Sequence, residues 1–194
     1  LFCRSMRTIM KGSLPEGWKV LSSEYLYKAD WLTVRKDSLQ LASGHVIPDY
    51  YVLEYPDWIN IVAITADDQM LLIRQYRHGA ALTAYELCAG VCEEHDGDPI
   101  ESAKRELLEE TGYGGGTWEK LMTIAPNPAT SNNYVHSYIV RGIHKVAEPN
   151  LDKSEELTVH LFTREEVLNL MLSGEIIQAT QLAVLWRYMY ITRE

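Results

Sequence analysis

The 194-residue sequence has few cysteines and no arrangement of them that is typical of a disulfide framework. Its three cysteines, Cys3, Cys88 and Cys92, form no CxxC pair, and His95 alone does not complete a zinc ligand set around the last two. We therefore expect reduced thiols and a cytoplasmic protein.

The sequence also lacks an excess of basic residues and any apolar run long enough to span a bilayer. With 27 acidic and 18 basic residues the formal net charge is −9, which argues against a protein that grips the phosphate backbone of nucleic acid. A small phosphorylated ligand stays compatible with this charge, because a bound cation can invert the local field. We expect no nucleic-acid partner and no membrane partner.

The remaining composition is that of an ordinary globular chain, with 46% hydrophobic and 23% charged residues. The first half predicts strands, because it is rich in β-branched and aromatic residues interrupted by turn residues. These strands are expected within 24–41, with a turn at Lys28-Ala29-Asp30, at Asp49–Tyr55, at Trp58–Thr65 and at Met70–Tyr76. The last two should form a hairpin across Asp67-Asp68.

The second half predicts helices separated by strands near 117–124, 133–140 and 157–162. Asp98 is the expected N-cap of a helix that ends at Gly112, with Pro99 in the first turn and Glu101 closing a capping box. Thr163 should cap a helix over 164–172, and a final helix should cover about 176–190. Strands around a sheet-packed helix predict an α/β sandwich with a β-rich N-terminal extension.

The helix that follows Asp98 carries the most informative residues. At roughly 100° per residue, Glu106, Glu109 and Glu110 share one arc of the helix. A Glu-Glu pair on a helix is commonly just a solvated face, but three converging carboxylates repel one another unless a cation lies among them. Hard carboxylate oxygens without His or Cys favour Mg²⁺, with Mn²⁺ as a substitute.

The run from Arg105 to Tyr113, RELLEETGY, resembles the second half of the Nudix box, R-E-U-x-E-E-x-G-U, at each fixed position. Two flanking segments, RQYR at 74–77 and ELCAG at 86–90, are similar to segments of the ADP-ribose pyrophosphatase branch of that superfamily. The resemblance covers roughly residues 20 to 192. It implies a Nudix-type α/β/α sandwich with a mixed sheet, in which residues 1–55 form the N-terminal extension and residues 56–194 the hydrolase domain.

One departure from the family pattern lies just before the helix. The position that corresponds to the first box glutamate is Gly97, and the loop that begins at Gly90 has one extra residue. Glu93, Glu94 or Asp96 could replace the missing carboxylate, and the sequence does not choose among them. Cys88 also stands where the family usually has proline.

The resemblance implies a role for each candidate residue in Mg²⁺-dependent hydrolysis of a nucleoside diphosphate joined to a second group. The implied metal ligands are Glu106, Glu109, Glu110 and the carbonyl of Ala89. The implied catalytic residues are Glu106, Glu109, Glu110, Arg105 and, as alternative general bases, Glu155 and Glu156, which could equally belong to an acidic surface loop. The implied substrate-binding residues are Arg77, then Arg74, and Glu86 at the site edge.

The resemblance implies ADP-ribose or a related sugar nucleotide as the substrate and a homodimer as the assembly. The branch pairs through its N-terminal strands, and this chain has aromatic residues in that region, namely Trp31, Tyr50, Tyr51, Tyr55 and Trp58. Tyr27 and Trp31 could instead stack on a base. Two alternatives stay open at this point, a non-catalytic domain that senses a nucleotide and a domain that serves as an oligomerisation or partner module.

Overall fold

The computed structural model describes residues 13–29, 31–153 and 155–193. Cys3 and Asp30, the last residue of the predicted turn at 28–30, lie outside the described residues. The chain forms two compact units. The first unit comprises two segments, the chain up to Tyr55 and Asn127–Asn132. The second unit comprises Pro56–Pro126 and Asn133–Glu194.

The first unit is a three-stranded antiparallel sheet in the order β1-β2-β3. Its strands are β1 (Lys19–Ala29), β2 (Leu32–Gln40) and β3 (Val46–Glu54). A turn between β2 and β3 is centred on Gly44, which has φ +84° and whose N–H donates to the carbonyl of Leu41. Asp37 is buried in β2, where its carboxylate accepts hydrogen bonds from Arg35 and Ser23.

The second unit contains a seven-stranded mixed sheet in which β10, β5, β4, β9 and β8 lie side by side in that order. The strands are β4 (Trp58–Thr65), β5 (Met70–Arg77), β6 (Leu82–Glu86), β7 (Cys88–Val91), β8 (Tyr113–Ile124), β9 (Val135–Lys145) and β10 (Leu157–Phe162). β6 pairs with β5, and β7 pairs with β4. The predicted hairpin of β4 and β5 is confirmed, while β4 and β9 run parallel.

Helices cover both faces of this sheet, which confirms the predicted α/β/α sandwich. The helices are α1 (Pro99–Thr111), α2 (Arg164–Ser173) and α3 (Ala179–Ile191). Successive side chains of β4 alternate between two buried clusters: Ile59, Ile61 and Ala63 pack with α1, while Val62 and Ile64 pack with α2 and α3. Burial on both faces explains why β4 is a continuous apolar run.

The structure corrects three predictions of local structure. The strand predicted near 117–124 begins earlier, at Tyr113, and includes the glycines at 114–116. Pairing with β9 overrides their low strand propensity, and Gly115 and Gly116 adopt the positive φ of an irregular strand. The last helix begins at Ala179, after the cap Gln178, and not at 176. Glu101 closes no capping box, and its carboxylate instead lies 2.8 Å from the ammonium of Lys104.

None of the helices in the described part of the chain combines the length and the apolar character that crossing a bilayer requires.

Candidate active site

Helix α1 presents the three glutamates of the predicted cluster, Glu106, Glu109 and Glu110, at different depths. Asp98 caps the helix by accepting the Ile100 N–H at 3.0 Å, and Gly112 ends it with φ +70°, as the sequence predicted. Ala103 and Leu107 are fully buried against the sheet and fix the rotation of the helix. Glu110 is consequently 5% exposed, whereas the side chain of Glu109 is 43% exposed and lies at the rim.

The two inner carboxylates are desolvated and close to other negative charges. Burial raises the pKa of Glu106 to about 7, with repulsion from Glu109 and Glu155 adding to the effect although Arg105 opposes it. Burial likewise raises the pKa of Glu110 to about 8, assisted by Glu106 and Glu155 and partly offset by the Cys88 side chain and the Ala89 backbone. Glu110 Oε2 is buried and has no hydrogen-bond partner among the described residues.

Strand β7 lies directly against these carboxylates. A Cβ added at Gly90 would come within 2.3 Å of Glu106 Oε1, so only glycine leaves the Glu106 side chain its position. The backbone of Ala89 borders Glu110. Cys88 is a buried free thiol whose pKa is raised well above its usual value by burial, and Cys92 is also free. Because β7 packs closely on α1, the ELCAG segment at 86–90 lies beside the glutamates of the helix, Glu106 and Glu110.

Arg105 joins the helix to the loop that precedes it. Its Nε lies 3.1 Å from Asp96 Oδ1 and its second amino group 2.9 Å from Asp96 Oδ2, which is a bidentate grip. The other amino group donates to Glu106 at 3.0 Å and to Glu109 at 3.1 Å. The Asp96 pair holds the pKa of that carboxyl well below its usual range.

The local structure of the loop explains why Asp96 receives this arginine. Residues Glu94–Asp96 form a short 3-10 turn, and the Glu93 and Asp96 side chains each accept a hydrogen bond from the other's backbone N–H. Gly97 follows with φ +75° and turns the chain towards Asp98. Glu93 lies further away, with 3.7 Å between its Oε1 and the guanidinium. The open choice among three acidic residues is thereby settled in favour of Asp96 as the partner of Arg105.

Arg77 and Glu86 form an ion pair on neighbouring strands β5 and β6, in which Glu86 is buried while the Arg77 side chain is 47% exposed. Arg77 donates from Nε and from one amino group to the two oxygens of Glu86 at 2.8 and 2.6 Å. Glu86 is 1% exposed and also accepts a 3.4 Å hydrogen bond from Gln181 of α3. The sequence alone did not indicate Gln181, because it lies 95 positions from Glu86 in a helix that is mainly apolar.

Glu155, one of the two alternative general bases, interacts electrostatically with the carboxylates of α1. Glu155 is close enough to raise the pKa values of Glu106 and Glu110, and it also acts on Arg77. The preceding loop is tied to α1, because the Asn150 N–H donates to the Glu109 carbonyl at 2.8 Å. The Glu155 carboxylate itself accepts the Asp152 N–H at 3.1 Å.

Glu156 and Arg74 lie beside Glu155 in the wall of a cavity of about 480 Å³. The other lining residues are Tyr76, Thr83, Leu151, Leu157 and Thr158. Arg74 pairs in register with Thr158 of β10 and with Tyr85 of β6, and its guanidinium lies 5.7 Å from the Tyr85 ring centroid. Arg74 therefore faces a cavity, while Arg77 is already engaged by Glu86.

The donor set fits a hard divalent cation. Within 13–29, 31–153 and 155–193, no three His, Cys, Asp or Glu side chains already lie in a metal-binding arrangement. Arg105 instead donates hydrogen bonds to oxygens of Glu106 and Glu109. The buried Glu110 Oε2 nevertheless has no partner among the described residues, and burial raises the pKa of Glu110, so this carboxylate marks a position where negative charge lacks a counterion. Carboxylate oxygens are the donors that Mg²⁺ and Mn²⁺ prefer.

Comparisons with known proteins agree with this geometry. Residues 18–53 match the nucleoside diphosphate sugar hydrolase N-terminal domain, and residues 55–183 match the NUDIX domain. An ADP-ribose pyrophosphatase of Mycobacterium tuberculosis (strain ATCC 25618 / H37Rv) is 28% identical over 86% of this chain and 80% of its own length. An ADP-ribose pyrophosphatase of Bacillus subtilis (strain 168) is 25% identical over 83% of this chain and 86% of its own.

The fold is shared with a solved structure described as the crystal structure of an ADP compounds hydrolase. The two superpose with a TM-score of 0.81 at 20% identity and cover 94% of this chain and 97% of that chain. Nudix enzymes generally use divalent metal cations, which agrees with the carboxylate donors on α1. From the NUDIX match over most of its length, the chain belongs to the Nudix family and is a Nudix pyrophosphohydrolase.

Proposed function

We propose that the protein hydrolyses the pyrophosphate bond of ADP-ribose or a closely related nucleoside diphosphate sugar, with Mg²⁺ as its cation and Mn²⁺ as a substitute. The observation that carries the proposal is the desolvated pair Glu106 and Glu110 beside Glu155, with one unpartnered oxygen on Glu110. The names of two of its relatives, which are ADP-ribose pyrophosphatases, support the substrate.

The reaction needs positioning and charge stabilisation more than covalent chemistry from the protein. Water attacks one phosphorus of the P–O–P bridge, a new P–O bond forms, and the bridging bond breaks with its electron pair on the departing phosphate. ADP-ribose would give AMP and ribose 5-phosphate. Glu106, Glu109, Glu110 and the Ala89 carbonyl would hold the cation, which when bound supplies charge stabilisation and makes water more acidic.

Glu155 is the proposed general base that removes the proton from the attacking water. It is preferred to Glu156 because its charge acts on both inner carboxylates and on Arg77, which supports a position near the carboxylates proposed to hold the cation. Arg74 is the proposed contact for substrate phosphate, since it lines the cavity beside Glu155. Arg77 would add positive charge while Glu86 fixes its orientation.

The absence of the box glutamate at Gly97 is the feature of the sequence that favours the nucleotide-sensing alternative. Asp96 now supplies a carboxylate to Arg105 at 2.9 Å, so the departure from the motif leaves the arginine paired. A direct test compares ADP-ribose, several sugar nucleotides and dinucleotides as substrates, with and without Mg²⁺, and identifies the products by chromatography. Binding of these compounds without turnover would favour the sensing function.

A homodimer is the proposed assembly, formed through the first unit. β1 is an edge strand whose eleven residues are all exposed in the single chain. Large apolar side chains lie along it, namely Val20, Leu21, Tyr25, Leu26 and Tyr27. An exposed apolar edge strand favours pairing with another chain.

A cytoplasmic location is proposed as well. The free thiols of Cys88 and Cys92 agree with this location, which cell fractionation would test.

A further inference from the structure

A side chain from the C-terminal helix reaches the segment that borders the α1 carboxylates. Gln181 lies in the first turn of α3 and is 2% exposed. Its Oε1 accepts a hydrogen bond from the backbone N–H of Leu87 at 2.8 Å, and its Nε2 donates to Glu86 Oε2 at 3.4 Å. Both polar ends of this buried amide are therefore used by two consecutive residues.

Those two residues, Glu86 and Leu87, connect the Arg77–Glu86 ion pair to the β7 backbone that borders the α1 carboxylates. On one side, Glu86 holds Arg77 through a 2.6 Å ion pair. On the other, Leu87 leads directly into β7, where Ala89 borders Glu110 and Gly90 lies under Glu106. A displacement at Leu87 would thus move the arginine pair and the backbone beside the metal-binding carboxylates together.

The helix does not need the Gln181 side chain for its own start. Gln178 is the N-cap of α3, and its Oε1 accepts the Gln181 N–H at 3.0 Å and the Thr180 hydroxyl at 2.6 Å. The Gln181 amide is directed instead across to the β6–β7 turn. A buried polar group with both ends satisfied specifies one arrangement of its partners, because any shift leaves an unpaired donor or acceptor.

We propose that Gln181 is a positioning residue for the pyrophosphohydrolase, which fixes the turn at Glu86 and Leu87 and thereby the Arg77 guanidinium and the backbone of Ala89 and Gly90. This inference rests on the proposed function of Glu106 and Glu110 as metal ligands. It assigns to the C-terminal helix a part in the geometry of the site.

The test compares two variants of Gln181 with a matched control. Gln181→Met has a similar length but removes both hydrogen bonds, whereas Gln181→Glu keeps an acceptor for the Leu87 N–H and places a second carboxylate beside Glu86. Gln178→Ala removes the cap of the same helix and leaves the Gln181 side chain intact. For each full-length protein, one measures hydrogen exchange at the Leu87 amide, Mn²⁺ affinity by calorimetry, and kcat and KM for ADP-ribose.

Gln181→Met should speed exchange at Leu87 and lower both Mn²⁺ affinity and kcat, each by about tenfold. Gln181→Glu should keep Leu87 protected but raise KM, because the added carboxylate disturbs the Glu86–Arg77 pair. Gln178→Ala should lower the melting temperature yet leave Mn²⁺ affinity and kcat within about twofold of wild type.

Two results would overturn the inference. One is a folded Gln181→Met that binds Mn²⁺ and turns over as wild type does, and if that variant does not fold, a Gln181→Glu protein with wild-type KM serves equally. The other is a Gln178→Ala protein with the same losses, which would show that Gln181 acts only through helix stability. If wild type itself neither binds Mn²⁺ nor hydrolyses ADP-ribose, the proposed function fails as well, and the two failures are thereby told apart.

Discussion

Asp96 grips the guanidinium of Arg105 through both carboxylate oxygens, at 3.1 and 2.9 Å, one residue before the position where the family motif has glutamate. Arg105 in turn donates to Glu106 and Glu109. The extra residue in the loop and the 3-10 turn at Glu94–Asp96 place a shorter acidic side chain where it still reaches the arginine.

Asp96→Asn should lower kcat on the order of tenfold, because the amide cannot hold Arg105 by two charged contacts and Arg105 then draws more strongly on Glu106. Glu94→Gln is the matched control from the same turn and should retain wild-type turnover. Steady-state rates with saturating Mg²⁺ measure both. Equal rates for Asp96→Asn and wild type would show that Arg105 needs no partner in the loop.

The same pair predicts how stability depends on pH. Because Arg105 lowers the folded-state pKa of Asp96, the contribution of the pair is complete above the unfolded pKa of about 3.9 and is lost as the pH falls through the folded value. The difference in urea midpoint between wild type and Asp96→Asn should therefore be full near about pH 5, below the range in which Glu106 titrates, and should shrink as the pH falls towards about 2. A difference that does not shrink over this acidic range would contradict the pairing.

Gly90→Ala should separate activity from folding. The added Cβ would come 2.2 Å from Glu106 Cδ, which is the flexible end of a side chain, so Glu106 can move aside with little loss of stability. A displaced ligand should nevertheless reduce kcat on the order of 10²-fold. Gly79→Ala is the control, because a Cβ there meets nothing within 4 Å. Thermal melting and turnover of both variants test the prediction, which an active Gly90→Ala enzyme would refute.

Glu155→Gln and Glu156→Gln should behave differently from each other and from a ligand variant. Loss of the base leaves the cation bound and slows the attack, so Glu155→Gln should lower kcat on the order of 10²-fold at every Mg²⁺ concentration. Glu156→Gln should lose no more than a few-fold. Turnover measured against Mg²⁺ concentration distinguishes these cases. A Glu155→Gln enzyme that excess Mg²⁺ restores would mean that Glu155 is a metal ligand.

The sequence predicted the parts of the site that short-range spacing determines. Glu106, Glu109 and Glu110 are three and four residues apart on one helix whose cap and stop are local signals, so their approach follows from helix geometry alone. The choice of Asp96 over Glu93 and Glu94 depends on a 3-10 turn that no motif marks. The contact between Gln181 and Glu86 spans 95 positions and is created only by packing α3 on the sheet.

In the fold, too, the features set by local sequence patterns were predictable and those set by distant contacts were not. The apolar run of β4 and the capped helix α1 were predictable, because burial on two faces and helix ends leave clear patterns. The strand conformation of Gly114–Gly116 was not, since it depends on partners in β9. The grouping of Asn127–Asn132 with the first unit also escaped prediction, as Leu53 exchanges backbone hydrogen bonds with Thr130 and Asn132 far along the chain.

The proposed dimer predicts a concentration-independent mass of two chains in light scattering at micromolar concentration. Leu26→Lys on β1 should shift the protein towards monomer, because it places a charge on the exposed apolar strand. Glu24→Gln on the same strand is the control. An active wild-type monomer under these conditions would contradict the proposed assembly.

The most direct measurement is the hydrolysis of ADP-ribose as a function of Mg²⁺ by wild type and by Glu110→Gln. The account predicts that wild-type turnover disappears in excess EDTA and returns with Mg²⁺ or Mn²⁺, and that Glu110→Gln loses on the order of 10²-fold in kcat while remaining folded. Full activity in excess chelator, or wild-type turnover by Glu110→Gln, would show that the α1 carboxylates are not the catalytic metal site.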